Sequence, residues 1–138
     1  VKDTELKRQR DRDLYKVYVR SLSARRFASI GEAADYARRQ PAPQYYISAR
    51  TASLLIGRLM AHQSLIGLNS NSRQRIWHLY DAYNDYRQAH PHCRLSRELI
   101  LEELVEQPAP QFFVSAGRAK HIIIYERRAA IKHMRTRR

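Results

Sequence analysis

The sequence holds a single cysteine, Cys93, so no internal disulfide forms and nothing points to an oxidising compartment. Glycine is scarce: the four present are scattered, which excludes a Gly-rich loop of the kind that cradles phosphates. No stretch approaches the roughly 20 apolar residues of a membrane-spanning helix. The opening residues, VKDTELKRQR, carry no apolar segment of a signal peptide. Negative charge is the largest shortage. Only 13 Asp and Glu stand against 26 Lys and Arg, a formal net charge of +13. These shortages predict an intracellular, soluble protein, cytoplasmic or nucleoid-associated in a bacterium, without a membrane partner.

Such a one-sided charge costs stability through self-repulsion and raises affinity for polyanions, with nucleic acid the leading one. Most of the cations are Arg, whose planar fork matches phosphate and guanine edges better than the Lys ammonium does. The chain still has a core to bury, since 43% of its residues are hydrophobic.

What the sequence has in duplicate is more informative. QPAPQYYISA begins at Gln40 and QPAPQFFVSA at Gln107, an offset of 67 residues with seven of ten positions identical. The match extends outwards. Ala33, Ala34 and Ala37 fall on Ile100, Leu101 and Leu104, and Ala52, Leu55 and Ile56 on Ala119, Ile122 and Ile123. Upstream, at an offset of 65, Leu14, Tyr15 and Tyr18 fall on Leu79, Tyr80 and Tyr83. Each half therefore repeats three segments in the same order.

The apolar spacing i, i+3, i+4, i+7 makes these segments helices. Ser29 with Glu32 forms a capping box before the second helix, and Ser96 caps its counterpart. Both second helices stop at the proline pairs, because proline cannot continue a helix. Ser48 and Ser115 cap the third helices, and Gly67 marks the end of the first of them. The last helix continues into RRAAIKHMRTRR. NSNS, at 69–72, is polar and aperiodic and is read as a linker.

The expected fold is thus all-α: two tandem tri-helical repeats, six helices in all, packed about an approximate two-fold axis. The boundaries are 1–68, a linker at 69–72, 73–128, and a basic arm at 129–138. The twice-used QPAPQ stretch becomes an extended connector, fixed by its prolines and anchored by its aromatics. Short strands at 45–47 and 112–114 have the composition to pair with one another.

A tri-helical unit whose last helix starts at a Ser cap is similar to helix-turn-helix-like DNA-binding modules, in which that helix enters the major groove. The connector of about eight residues is longer than the three or four of that motif. The resemblance is one of architecture. It implies DNA contact by Arg50, Thr51, Ser53 and Arg58 on the first copy and by Arg118, Lys120 and His121 on the second. These are residue types that bond to bases or phosphates. Phosphates would be held by Arg25, Arg26, Arg38 and Arg39, by the caps Ser48 and Ser115, and by the tail residues Arg127, Arg128, Lys132, Arg135, Arg137 and Arg138. The halves carry +7 (1–69) and +6 (70–138), but much of the second value lies in the tail. The first half is accordingly the expected stronger binder.

Other constellations are weaker. HPHC offers His90, His92 and Cys93 without a second ligand pair at zinc spacing, so a polar loop is expected and no metal. Glu98, Glu102, Glu103 and Glu106 make an acidic face on the helix at 96–106, the expected site of any protein partner. Tyr15, Tyr18, Tyr80 and Tyr83 fall on packing faces rather than in a recombinase-like active site, and Trp77 reads as a core or interface residue. No nucleophile, base and acid converge in the pattern. The expectation is a non-catalytic, cofactor-free protein that binds double-stranded DNA, a small regulator of transcription or of a mobile element. The alternatives are an adaptor between proteins and an RNA-binding protein.

Overall fold

A computed structural model describes residues 3–136, and within them the chain is all-α. Six helices follow in order: α1 (Asp3–Ala24), α2 (Ile30–Arg38), α3 (Ala49–Met60), α4 (Ser70–Ala89), α5 (Arg97–Leu104) and α6 (Ala116–Thr136). The periodic stripes are the buried faces. Leu14, Val17 and Tyr18 are buried on α1, Ala52 and Ile56 on α3, Ile76, Leu79 and Tyr83 on α4, and Ala119, Ile122 and Ile123 on α6. Trp77 is instead half exposed, its ring centroid 5.8 Å from that of Tyr80, so it is not a core residue.

The four serine caps form as the sequence suggests. The Oγ atoms of Ser29, Ser48, Ser96 and Ser115 accept the N–H groups of Glu32, Thr51, Leu99 and Arg118 at 3.1, 3.2, 3.3 and 3.1 Å. Each satisfies one amide that the first helical turn leaves without a partner. The capping box is displaced by one residue, because the Glu32 carboxylate accepts from Ala28 N–H at 3.1 Å. The expected linker at 69–72 is helix. Asn69 Oδ1 accepts Ser72 N–H at 2.8 Å and starts α4, so its polar residues are a cap and a first turn.

The helix α3 also ends earlier than expected, at Met60 rather than near Gly67. His62 takes the left-handed conformation (φ 57°) that closes the last turn. His62 N–H then reaches Leu59 O at 3.1 Å and Gln63 N–H reaches Arg58 O at 2.8 Å. A side chain in that conformation costs about 1–2 kcal/mol, part of which a glycine returns as chain entropy. Exchanging exposed His62 for Gly should therefore raise stability by roughly 0.5–1 kcal/mol, seen as a higher urea midpoint at constant slope.

The repeated connectors explain why their sequence recurs. Ala42 and Ala109, at the same position in each copy, exchange both backbone hydrogen bonds in an isolated antiparallel bridge, at 2.9 and 2.8 Å. Each Ala is flanked by two prolines, which lack N–H groups, so the pairing cannot lengthen into a ladder. The bridge precedes 45–47 and 112–114, whose composition permits pairing, and the described residues there form no strand. Three residues on, Tyr45 N–H donates to Val105 O at 3.0 Å and Phe112 N–H donates to Arg38 O, also at 3.0 Å. Both bonds satisfy carbonyls at helix ends that have no partner within the helix. The next residues, Tyr46 and Phe113, are both left-handed (φ 55°) and buried. Arg75 Nη1 meets the Tyr45 and Tyr46 carbonyls at 3.4 and 3.2 Å.

The chain forms two compact units that cut across the sequence halves. One comprises Val1–Leu6 and Pro43–Pro108 and so holds α3, α4 and α5. The other comprises Lys7–Ala42 and Ala109–Arg138 and holds α2, α6 and most of α1. The boundaries expected at 1–68 and 73–128 therefore do not match the units, since each connector carries its chain across before the third helix begins. Within the first unit α3 packs on α4 and α5, which also touch each other; within the second, α2 packs on α6. The buried face of α2 is Ala33, Ala34 and Ala37, and that of α5 is Ile100 and Leu101.

Candidate nucleic-acid interface

Grouping the helices this way separates the charge. Lys7–Ala42 with Ala109–Arg138 contain 18 Lys and Arg against 5 Asp and Glu, a net +13. Val1–Leu6 with Pro43–Pro108 contain 8 of each and are neutral. The nearly even +7 and +6 of the sequence halves become zero and the entire net charge. The first half, expected to be the stronger binder, is divided between the units: its α3, with Arg50 and Arg58, lies in the neutral one, and its basic residues from Lys7 to Arg39 lie in the charged one.

Two helices carry most of the exposed cations of the basic unit. On α6, Arg118, Lys120, His121, Arg127, Arg128, Lys132 and Arg135 are all exposed. Ser115 uses its hydroxyl as the cap of this helix. The part of α6 beyond Glu126 is solvent-exposed at nearly every position, so the expected basic arm is a helical extension. Arg137 and Arg138 of that arm lie outside the described residues. On α1, Arg8, Arg12, Lys16 and Arg20 are exposed at intervals of four, which places them in one row of about 18 Å along the helix. Sequence reasoning missed this row. Its signal is a basic residue at every fourth position, on the helix that also carries the apolar stripe of Leu14, Val17 and Tyr18.

The remaining phosphate candidates of this unit differ in freedom. Arg26 is exposed, and Arg25 lies over the Tyr36 ring at 4.5 Å while also remaining exposed. Arg39 is exposed but paired with Asp35 at 2.9 Å. Arg38 is the most constrained, bonded to the same Asp35 at 2.7 Å and to the Val114 carbonyl at 3.3 Å. It works as a tie between α2 and the second connector.

The first-copy candidates sit in the neutral unit. Arg50 and Arg58 are exposed at opposite ends of α3. Thr51 and Ser48 bond to each other at 2.9 Å as part of the cap. Ser53 accepts from Arg97 Nε at 3.0 Å, and the same guanidinium crosses Gly57, where a methyl group would lie 2.8 Å from Nη2. Arg97 of α5 thus covers the part of α3 that carries Ser53 and Gly57. The Glu98, Glu102, Glu103 and Glu106 carboxylates of α5 and of the turn after it are exposed.

Carboxylates near α6 are few. Asp11 is engaged by Arg10 at 3.0 Å. Burial, then the neighbouring Asp11 charge, push the Glu126 carboxyl above its ordinary value, and Arg12 opposes them. In the HPHC loop, His90 stacks on Tyr86 with ring centroids 4.4 Å apart. Among the described residues, no three His, Cys, Asp or Glu side chains converge as metal ligands, and no helix is long and apolar enough to cross a membrane. Comparison with protein-family models, with curated proteins and with solved structures gives no match for this chain.

Proposed function

We propose that the protein binds double-stranded DNA without catalysing a reaction, and that α6 is the leading contact element. The observation that carries this reading is the collection of the whole net charge, +13, in the unit built on α1, α2 and α6. A chain that gathers its whole net charge in one compact unit suits a polyanion ligand. Arg118, Lys120 and His121 occupy the first turns of α6, where side chains that read base edges lie in helix-based DNA binders. Arg127, Arg128, Lys132 and Arg135, with the α1 row, supply phosphate contacts. Arg50 and Arg58 on α3 are secondary, because no comparable charge surrounds them. A small regulator of transcription or of a mobile element fits such a molecule.

Binding of a short DNA duplex should weaken steeply with salt. Each phosphate neutralised contributes about 0.9 to the slope of log affinity against log salt, so six or more contacts give a slope of roughly −5 or steeper. A titration read by fluorescence anisotropy gives that slope, and the absence of binding at low salt would sink the proposal. Equal or tighter binding to duplex RNA would move the reading to RNA, since A-form helices are recognised by shape and phosphate. One observation favours a second role for the neutral unit. Leu99 stays half exposed among the α5 carboxylates, a mixed surface suited to a protein partner at 96–106.

A further inference from the structure

The basic unit contains one feature that charge alone does not account for. Tyr125 is 71% exposed in the middle of α6, flanked on the same helix face by Arg118, His121 and Arg128. These positions recur at i, i+3, i+7 and i+10, so they form one stripe of about 15 Å. The stripe borders a surface cavity of about 440 Å³, with Ile122 among its apolar walls. Asp11 is the sole carboxylate on its rim, and Arg10 already binds it at 3.0 Å. An aromatic face set between two guanidinium groups and an imidazole is poorly suited to an apolar partner, because the guanidinium groups would lose hydration without gaining an anion. It suits a nucleotide, whose base offers a π-face and whose phosphates offer the anions.

We infer that Tyr125 is a stacking platform for an unpaired nucleobase, so that this protein prefers duplex DNA interrupted by an unpaired nucleotide to a perfect duplex. The inference rests on the DNA-binding reading and deepens it. Magnitudes decide between paired and unpaired targets. Stacking on an aromatic side chain returns about 1–3 kcal/mol, whereas extruding a paired base costs a few kcal/mol. The site therefore does not open intact duplex, and a base that is already unpaired binds without that cost. Arg118 and Arg128 then hold phosphates on the two sides of the stacked nucleotide.

The test compares three probes at one salt concentration: a perfect duplex, the same duplex with a one-nucleotide bulge, and that bulge with an abasic site in place of its base. The full chain is expected to bind the bulge about tenfold more tightly than either other probe, as ~1.4 kcal/mol of stacking requires. Tyr125→Ala should abolish this preference while leaving perfect-duplex affinity within about twofold, and Tyr125→Trp should keep it. The abasic probe separates stacking from the flexibility of the bulge. Equal affinity for base-containing and abasic bulges, or a preference that persists in Tyr125→Ala, overturns the inference and leaves the duplex-binding proposal standing. Failure to bind all three probes overturns both.

Discussion

Phe112→Ala is expected to cost about 3–5 kcal/mol of stability, the usual result of emptying a large, fully enclosed aromatic site. Phe112 is among the largest fully buried side chains, and it lies in a connector rather than in a helix. Its N–H holds the Arg38 carbonyl at 3.0 Å, and Phe113 beside it adopts the left-handed backbone. Alanine keeps that hydrogen bond, so the loss measures the cavity. Domains of this size have a total stability of about 5–15 kcal/mol, and the variant should be unfolded or close to it at 37 °C. Urea unfolding followed by circular dichroism gives the value. Phe112→Leu, which leaves a smaller void, should lose clearly less. A change below about 1 kcal/mol in Phe112→Ala would show that the connector is a passive tether.

The importance of the connector was legible before any coordinates, because QPAPQYYISA and QPAPQFFVSA differ only by exchanges between aromatics and between β-branched residues. The helices and their buried faces were legible for the same kind of reason. An i, i+3, i+4 stripe reports that one face is covered, and Ser29, Ser48, Ser96 and Ser115 report where helices begin. A stripe does not report which helix covers it. The stripes of α3 (Ala52, Leu55, Ile56) and α6 (Ala119, Ile122, Ile123) are nearly interchangeable, so the assignment of third helices to units was open to either grouping. Chain proximity favoured the grouping by halves, and the structure has the other.

The grouping of those two helices also decides how the charge is distributed. Counted by halves, the chain looks like two similar basic modules; counted by compact unit, it is one basic and one neutral body. The local misreadings have separate physical causes. His62 took the left-handed position that Gly67 was expected to fill, because the hydrogen bonds closing α3 impose that conformation on whichever residue stands there. Residues 69–72 looked like a linker because good capping residues are also good turn residues. Ser53 and Arg38 are ligand-binding types by residue, yet each spends its polar atoms inside its unit, on Arg97 and on Asp35 with Val114. Residue type alone does not separate these uses.

Replacing Arg118, Lys120, Arg127 and Arg128 together by Gln should weaken duplex DNA binding by about three to four orders of magnitude near 0.1 M salt. Each cation, whether it meets a phosphate or a base edge, is counted as neutralising one phosphate; at about 0.9 apiece, loss of four flattens the salt slope by about 3.6, and near 0.1 M salt the same exponent sets the loss in affinity. All four side chains are exposed and none takes part in an ion pair found among the described residues, so stability should change little. Removing like charges from a unit of +13 should even relieve some repulsion. Matched Gln replacement of Arg50 and Arg58 in the neutral unit is the control, with an expected loss under about threefold. Neutralising the α1 row, Arg8, Arg12, Lys16 and Arg20, should resemble the α6 set if both helices face the duplex. A large effect for the α1 row with none for the α6 set would mean that the charged unit meets DNA through α1. Equal losses for the α6 set and for the Arg50 and Arg58 pair would mean that the separation of charge between the units does not determine where the polyanion binds.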